Sequence, residues 1–174
     1  MRKLLDVDNA LVLAGGKLSL SRALACTDVW ALDAALDTAE ADAAPIGIAR
    51  RLLDAYPGPL LGAEENAWIG KPREALRARF VRTLMRLGEA LERERAWAPA
   101  IDLYRRGIEA DNLAESLYRG LMRSLAATGD QAEAINAYRR CRELLSIVLG
   151  VAPAAETERL YREIAATPGK SSPP

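Results

Sequence analysis

The sequence predicts an all-α stack of antiparallel helical hairpins with a small β-hairpin at its N-terminal end. Three observations predict it. The chain matches itself at an offset of 34 residues over seven positions between Leu84 and Arg139. From Thr27 onward, apolar residues recur at helical rather than alternating spacing. Leu11–Leu13 and Leu18–Leu20 flank Ala14-Gly15-Gly16-Lys17, two short apolar runs around a glycine turn. At 174 residues, 50% of them hydrophobic, the chain can bury the core of one ordinary domain.

Residues 1–26 form the first zone. Arg2 to Leu5 reads as the last turn of a helix, and the hairpin follows. A two-stranded hairpin is marginal alone, so it is expected to rest against the remainder. Residues 27–166 are helical. Thr27 or Asp28 caps a helix reaching about Ala41, with Val29, Leu32, Leu36 and Ala39 on one face. Pro45 suits the first turn of the next helix, which carries Ile48, Leu52 and Leu53. Tyr56-Pro57-Gly58-Pro59 stops it, and Leu60 or Leu61 is expected to plug the loop into the core. A short helical piece is expected over Glu64–Ile69. A break is expected at Gly70-Lys71-Pro72, because a residue before proline disfavours the α region.

The repeat occupies the rest. Leu84 falls on Tyr118, Leu87 on Leu121, Leu91 on Leu125, Ala100 on Ala134, Ile101 on Ile135, Tyr104 on Tyr138 and Arg105 on Arg139. Paired helices at this period resemble the tetratricopeptide repeat. With units starting at Val81 and Glu115, Gly88 and Met122 take the eighth place, Gly88 being small enough for close helix approach. Ala100 and Ala134 take the crossing place, Tyr104 and Tyr138 the large aromatic one, and Gly107 and Cys141 the small one after it. Gly129-Asp130 is the turn within the second unit, and Pro99 falls in the first turn of its helix. Gly150 and Pro153 separate this unit from a closing helix over Ala154–Ala166, whose Leu160, Tyr161 and Ile164 cap the open end of the stack. Residues 167–174 read as a disordered tail by composition.

Composition excludes several functions. Lys plus Arg and Asp plus Glu are 24 each, and residues 1–60, 61–110 and 111–174 carry 6 against 8, 10 against 8 and 8 against 8 basic and acidic groups. No lobe is basic enough for strong sequence-independent attraction to nucleic acid. There is no histidine, which removes histidine bases, triads and metal sites. Cys26 and Cys141 form no CxxC pair, and read as buried thiols of a reducing compartment. Gly15-Gly16-Lys17 lacks phosphate-loop spacing, and the acids lie beside arginines on helix surfaces. The expectation is a non-enzyme with no catalytic residue, cofactor or metal. No apolar run approaches a membrane span, and Asp6 comes too early for a signal peptide, so a cytoplasmic location is expected.

Stacked hairpins leave a concave surface lined by the first helix of each pair. The residues expected to face it are Arg82, Met85, Glu89 and Arg93, then Ser116, Arg119, Arg123 and Ala127. Arg82, Arg119 and Arg123 are the candidate partner-binding residues, because guanidinium forks suit a carboxylate or phosphate. The plainer reading is a solvated face of salt links worth about 0.3–0.5 kcal/mol each. Trp30, Trp68 and Trp97 stand at or near helix starts and read as core or hinge anchors, with a partner hot spot as the alternative.

Several segments carry a family resemblance: Leu60-Leu61 through Trp68-Ile69, Arg73–Arg77, Ala100–Arg106, Ala134–Arg142, and Leu149-Gly150-Val151-Ala152-Pro153 with Glu156-Thr157. From about residue 28 to 165 the chain resembles the bacterial transcriptional activator domain of the Streptomyces antibiotic regulatory proteins. The resemblance implies that Arg2–Leu5 closes a recognition helix, and that the β-hairpin is the wing of a winged-helix domain whose groove-entering helices this sequence lacks. The chain then reads as a piece of a longer regulator or as its interaction half alone. It implies a protein-interaction and oligomerisation role, through self-association and contact with RNA polymerase or other regulator domains, with DNA reached only through an upstream domain. Two rivals stand beside it: a DNA-binding fragment touching phosphates through Arg2, Lys3 or Lys17, and a ligand sensor with a cleft between the first helices and the repeats.

Overall fold

The computed structural model describes residues 10–25, 27–41, 45–56, 58, 60–62, 64 and 66–167. The expected helix end at Arg2–Leu5, Cys26 and residues 168–174 of the expected tail lie outside them. Strands β1 (Leu11–Ala14) and β2 (Lys17–Leu20) pair antiparallel, with Leu11 opposite Leu20 and Ala14 opposite Lys17. Gly15 and Gly16 both have positive φ, 57° and 73°, the geometry of the primed turn that matches strand twist. Ser21 N–H donates to the Ala10 carbonyl at the base, and the Arg22 guanidinium lies 5.0 Å from the Trp30 ring. The hairpin does not otherwise bury itself as expected: Leu13 and Leu18, directly opposed, stay 72% and 58% exposed.

Among the described residues are seven α-helices: α1 (Asp28–Ala41), α2 (Pro45–Ala55), α3 (Gly70–Arg93), α4 (Trp97–Ala110), α5 (Glu115–Ala127), α6 (Gln131–Leu144) and α7 (Ala155–Ala166). A π-helical turn, Leu145–Leu149, extends α6. Three antiparallel pairs, α1/α2, α3/α4 and α5/α6, stack side by side and α7 closes the end. The layering follows the repeat: α1, α3, α5 and α7 pack in one row, and α2 packs on α4 in the other. The first two helices are therefore a further hairpin of the same stack.

Local chemistry sets the boundaries. The Thr27 hydroxyl accepts from Trp30 N–H at 3.2 Å and starts α1. Asp130 accepts from Glu133 N–H at 3.2 Å to start α6, after Gly129 has reversed the chain at φ 86°. The expected break at Gly70-Lys71-Pro72 is absent. Helix α3 begins at Gly70, so Pro72 sits in its first turn, where the missing N–H forfeits no helical bond. Where a helical piece is expected at Glu64–Ile69, the described residues Asn66–Ile69 form a turn closed by Ile69 N–H to Asn66, and Glu64 N–H donates back to Leu61. Leu60 is half-buried and Leu61 half exposed, so neither plugs the core; Tyr56 and Ile69, on either side of the loop, do.

Helix α3, 24 residues long, begins at Gly70, ahead of the repeat unit that starts at Val81, and these extra N-terminal turns bind the first hairpin. Phe80 stacks on Tyr56 with ring centroids 3.9 Å apart. Arg79 reaches Asp33 at 3.2 Å and also Asp37 on α1, and Arg73 donates to the Leu60 and Glu64 carbonyls of the loop. Leu32, Leu36, Ile48 and Leu52 join Phe80 and Leu84 in one core that runs through Leu103, Leu117 and Leu125 to Ile164. Ala100 and Ala134 are fully buried, as the repeat requires.

Candidate functional site

The polar face of the stack is built around Tyr104. Its ring passes between Gly88 on α3 and Gly120 on α5, and a Cβ at either glycine would overlap the ring. The phenol emerges beyond them and donates to Glu92 Oε1 at 2.7 Å. Arg123 on α5 grips the same carboxylate with two hydrogen bonds of 3.0 Å. One aromatic from the second helix of a pair thus anchors an ion pair across the boundary to the next. Burial is the largest influence on Arg123 and opposes its charge, but the Glu92 hydrogen bonds and the attraction of Glu92, Tyr104 and Glu89 together outweigh it and hold the guanidinium above its ordinary value. Burial, then Glu92, pushes the Tyr104 phenol well up.

The pattern recurs at the next boundary. Tyr138 on α6 stacks on Tyr161 of α7 at 4.0 Å and donates to Glu158 at 2.5 Å. Burial first, then Glu158, pushes Tyr138 up to about 12. A phenol harder to ionise in the fold than in the unfolded chain adds stability that is complete below its ordinary value of 10.0 and lost as pH rises through about 12. Urea midpoints are therefore expected to fall steeply above pH 10, and less so in Tyr138→Phe.

Arg119 holds the closing helix. It donates to the Thr157 hydroxyl at 3.2 Å and lies 3.4 Å from Glu156 and 3.9 Å from Glu115. Glu115 in turn accepts from Ala154 N–H at 2.7 Å. Thr157 and Pro153 are buried, and Gly150 has φ 68°. The Gly150–Thr157 segment is thus the hinge and socket by which α7 docks on α5. At the boundary before it, Arg77 forks onto the buried Asp111 at 2.7 and 3.0 Å, and Asp111 also accepts from Leu113 N–H.

Of the three candidate arginines, Arg123 and Arg119 are therefore held within the chain. Arg82 is exposed on α3 and makes no side-chain hydrogen bond or ion pair among the described residues. Among the other expected groove residues, Met85 and Ser116 are half-buried, while Glu89, Arg93 and Ala127 are exposed. Trp30 and Trp97 are half-buried, but Trp68 is 68% exposed in the α2–α3 connection and is no core anchor. Ile147, Val148, Leu149 and Val151 are also at least half exposed. The signal for them was in the sequence: an unbroken apolar run from Ile147 to Leu149 cannot place every side chain on one helical face.

Between α2 and α4 lies an open groove of about 570 Å³ with Leu53, Leu91, Pro99 and Leu103 along it. Arg50, Asp102 and Arg106 rim it, and Arg106 pairs with Asp54 at 3.0 Å. It sits where the ligand-sensor reading places its cleft. Cys141 is buried, its thiol pushed up to about 12 by burial and then by Glu115, which leaves little thiolate at neutral pH. Among the described residues, no three His, Cys, Asp or Glu side chains converge as metal ligands. No helix among them is long and apolar enough to cross a membrane.

Stacked hairpins whose facing acids and bases neutralise one another define a helical-repeat module. The chain belongs to the bacterial transcriptional activator domain family, which it matches over residues 18–165. The match begins within β2, earlier than the resemblance at about residue 28, and the family is one of transcription-regulator domains rather than enzymes. A search of the curated proteins found no match.

Proposed function

We propose that this chain is the protein-interaction and self-association domain of a bacterial transcriptional regulator, acting in the cytoplasm by docking and not by reaction. The observation that supports this best is the Tyr104–Glu92–Arg123 clasp. The charged groups drawn together between hairpins are already satisfied by one another, so they stiffen a platform and leave no acid or base poised for a substrate. Its partners are a second copy, RNA polymerase or other regulator domains, with DNA contact supplied by a separate domain. Arg82 supplies the free guanidinium for a partner carboxylate, while Arg119 and Arg123 keep the stack in register.

The test is operator occupancy in cells. The full chain is joined to a DNA-binding domain that must dimerise to occupy a two-half-site operator. The fusion is expected to restore occupancy. Occupancy no higher than with the DNA-binding domain alone would remove the self-association reading.

A further inference from the structure

The boundary between α2 and α4 departs from the others. Elsewhere an arginine crosses to an acid of the neighbouring unit: Arg79 to Asp33, Arg123 to Glu92, Arg119 to Glu156. Helices α2 and α4 are both second helices of their hairpins and run in the same direction. Arg106 meets Asp54 at 3.0 Å across a separation of 52 positions, and this contact sets the register between the two helices. One turn nearer their starts, the same offset puts Arg50 level with Asp102, and in the first turns it puts Gly47 level with Pro99. Arg50 and Asp102 both line the groove and carry opposite charges, yet neither makes a hydrogen bond or ion pair among the described residues. The helices are clasped at one level and stand apart at the level before it.

Gly47 keeps that opening clear. Glycine weakens a helix relative to every residue but proline, so its place in α2 calls for a reason. Neither backbone nor packing supplies one: its φ is not positive, and a Cβ there would meet no atom within 4 Å. Its smallness leaves the mouth of the groove open. Further in, the groove of about 570 Å³ is apolar, with Leu53 and Pro99 half-buried in its walls and Leu91 and Leu103 fully buried behind them. That volume is within the range of small-molecule sites, in which apolar walls supply contact and a few placed charges fix orientation.

The two charges define the occupant. The Arg50 fork suits a carboxylate and Asp102 suits an ammonium, so the ligand carries both, close together, on an apolar body. A ligand with one charge alone would leave the other side chain facing it uncompensated. We propose that this groove binds a free apolar α-amino acid, its carboxylate on Arg50, its ammonium on Asp102 and its side chain against Leu53 and Pro99. Binding here is a further function and does not depend on self-association. Occupancy ties α2 to α4 at the level the chain leaves open, and so stiffens the joint between the first two hairpins.

The test is calorimetric titration of the full chain with L-leucine and L-phenylalanine. Saturation by either, at one site per chain, is expected. Its N-acetyl form lacks the ammonium and its amide lacks the carboxylate, and each is expected to bind about tenfold more weakly or worse. Arg50→Gln should bind the amino acid and its amide alike, and Asp102→Asn the amino acid and its N-acetyl form alike. A general loss of structure would not divide the analogues in this way. Gly47→Leu should close the mouth and abolish binding, while the thermal melt by circular dichroism holds or rises. If neither amino acid binds into the millimolar range, the proposal is overturned and the self-association reading is unaffected. Analogues that bind as tightly as the amino acid would overturn the paired-charge assignment. Binding unchanged in all three variants would overturn the groove as its place.

Discussion

Tyr104→Ala is expected to lower the free energy of unfolding by about 4 kcal/mol, within the range for a fully buried aromatic cut back to a methyl group. The ring is in the middle of the stack, filling the space that Gly88 and Gly120 leave open between α3 and α5. Without it neither helix can close the gap, because their separation is also fixed by Leu84, Leu117 and Met122 in the same core. The hydroxyl adds less. Tyr104→Phe keeps the ring and removes one donor to Glu92, which still has both Arg123 hydrogen bonds, so a loss of about 1 kcal/mol is expected. The reciprocal change makes the argument specific. Gly120→Ala adds a single carbon and costs about 3 kcal/mol, because that carbon meets a ring with no free space to move into. Urea titrations followed by circular dichroism separate the three, with Tyr104→Phe the mildest.

The second large effect belongs to Phe80. Its ring is fully buried and stacked on Tyr56, so Phe80→Ala is expected to cost about 4 kcal/mol. What distinguishes it is where the loss falls. In a stack each hairpin touches its neighbours only, and stability is close to a sum of units and interfaces. Phe80 lies at the interface between the α1/α2 hairpin and the rest, beside Leu32, Leu36 and Leu52. Its removal should let α1 and α2 open while α4 to α7 stay folded. Hydrogen exchange should show lost protection over residues 28–55 with little change over 97–166, and the single unfolding transition should split into two.

Much of this was legible in the residues. The 34-residue offset marks Ala100, Ala134, Tyr104 and the small residue at Gly88, because packing at a helix crossing limits side-chain size at fixed places in each repeat. Gly120 was missed. The second glycine of the Tyr104 slot stands at the sixth place of its unit, while the eighth, where smallness was sought, holds Met122. The ion pairs were not legible either. Arg77 with Asp111, Arg79 with Asp33 and Arg123 with Glu92 join residues 34, 46 and 31 positions apart, and charge periodicity carries no signal for a contact between separate helices. For the same reason Arg119 and Arg123 looked like groove residues when read by place in the repeat, although their guanidinium groups reach sideways to the neighbouring unit. The break expected at Gly70 failed because the preference of a residue before proline is weak at a helix start, where the extra α3 turns gain Phe80 and the Arg79 contacts.

The most direct measurement of the central claim is the mass of the intact chain in solution, by sedimentation equilibrium across the micromolar range. A self-docking module is expected to rise with concentration from the monomer mass of 18.9 kDa toward twice that value. A mass fixed at 18.9 kDa at every concentration would contradict it.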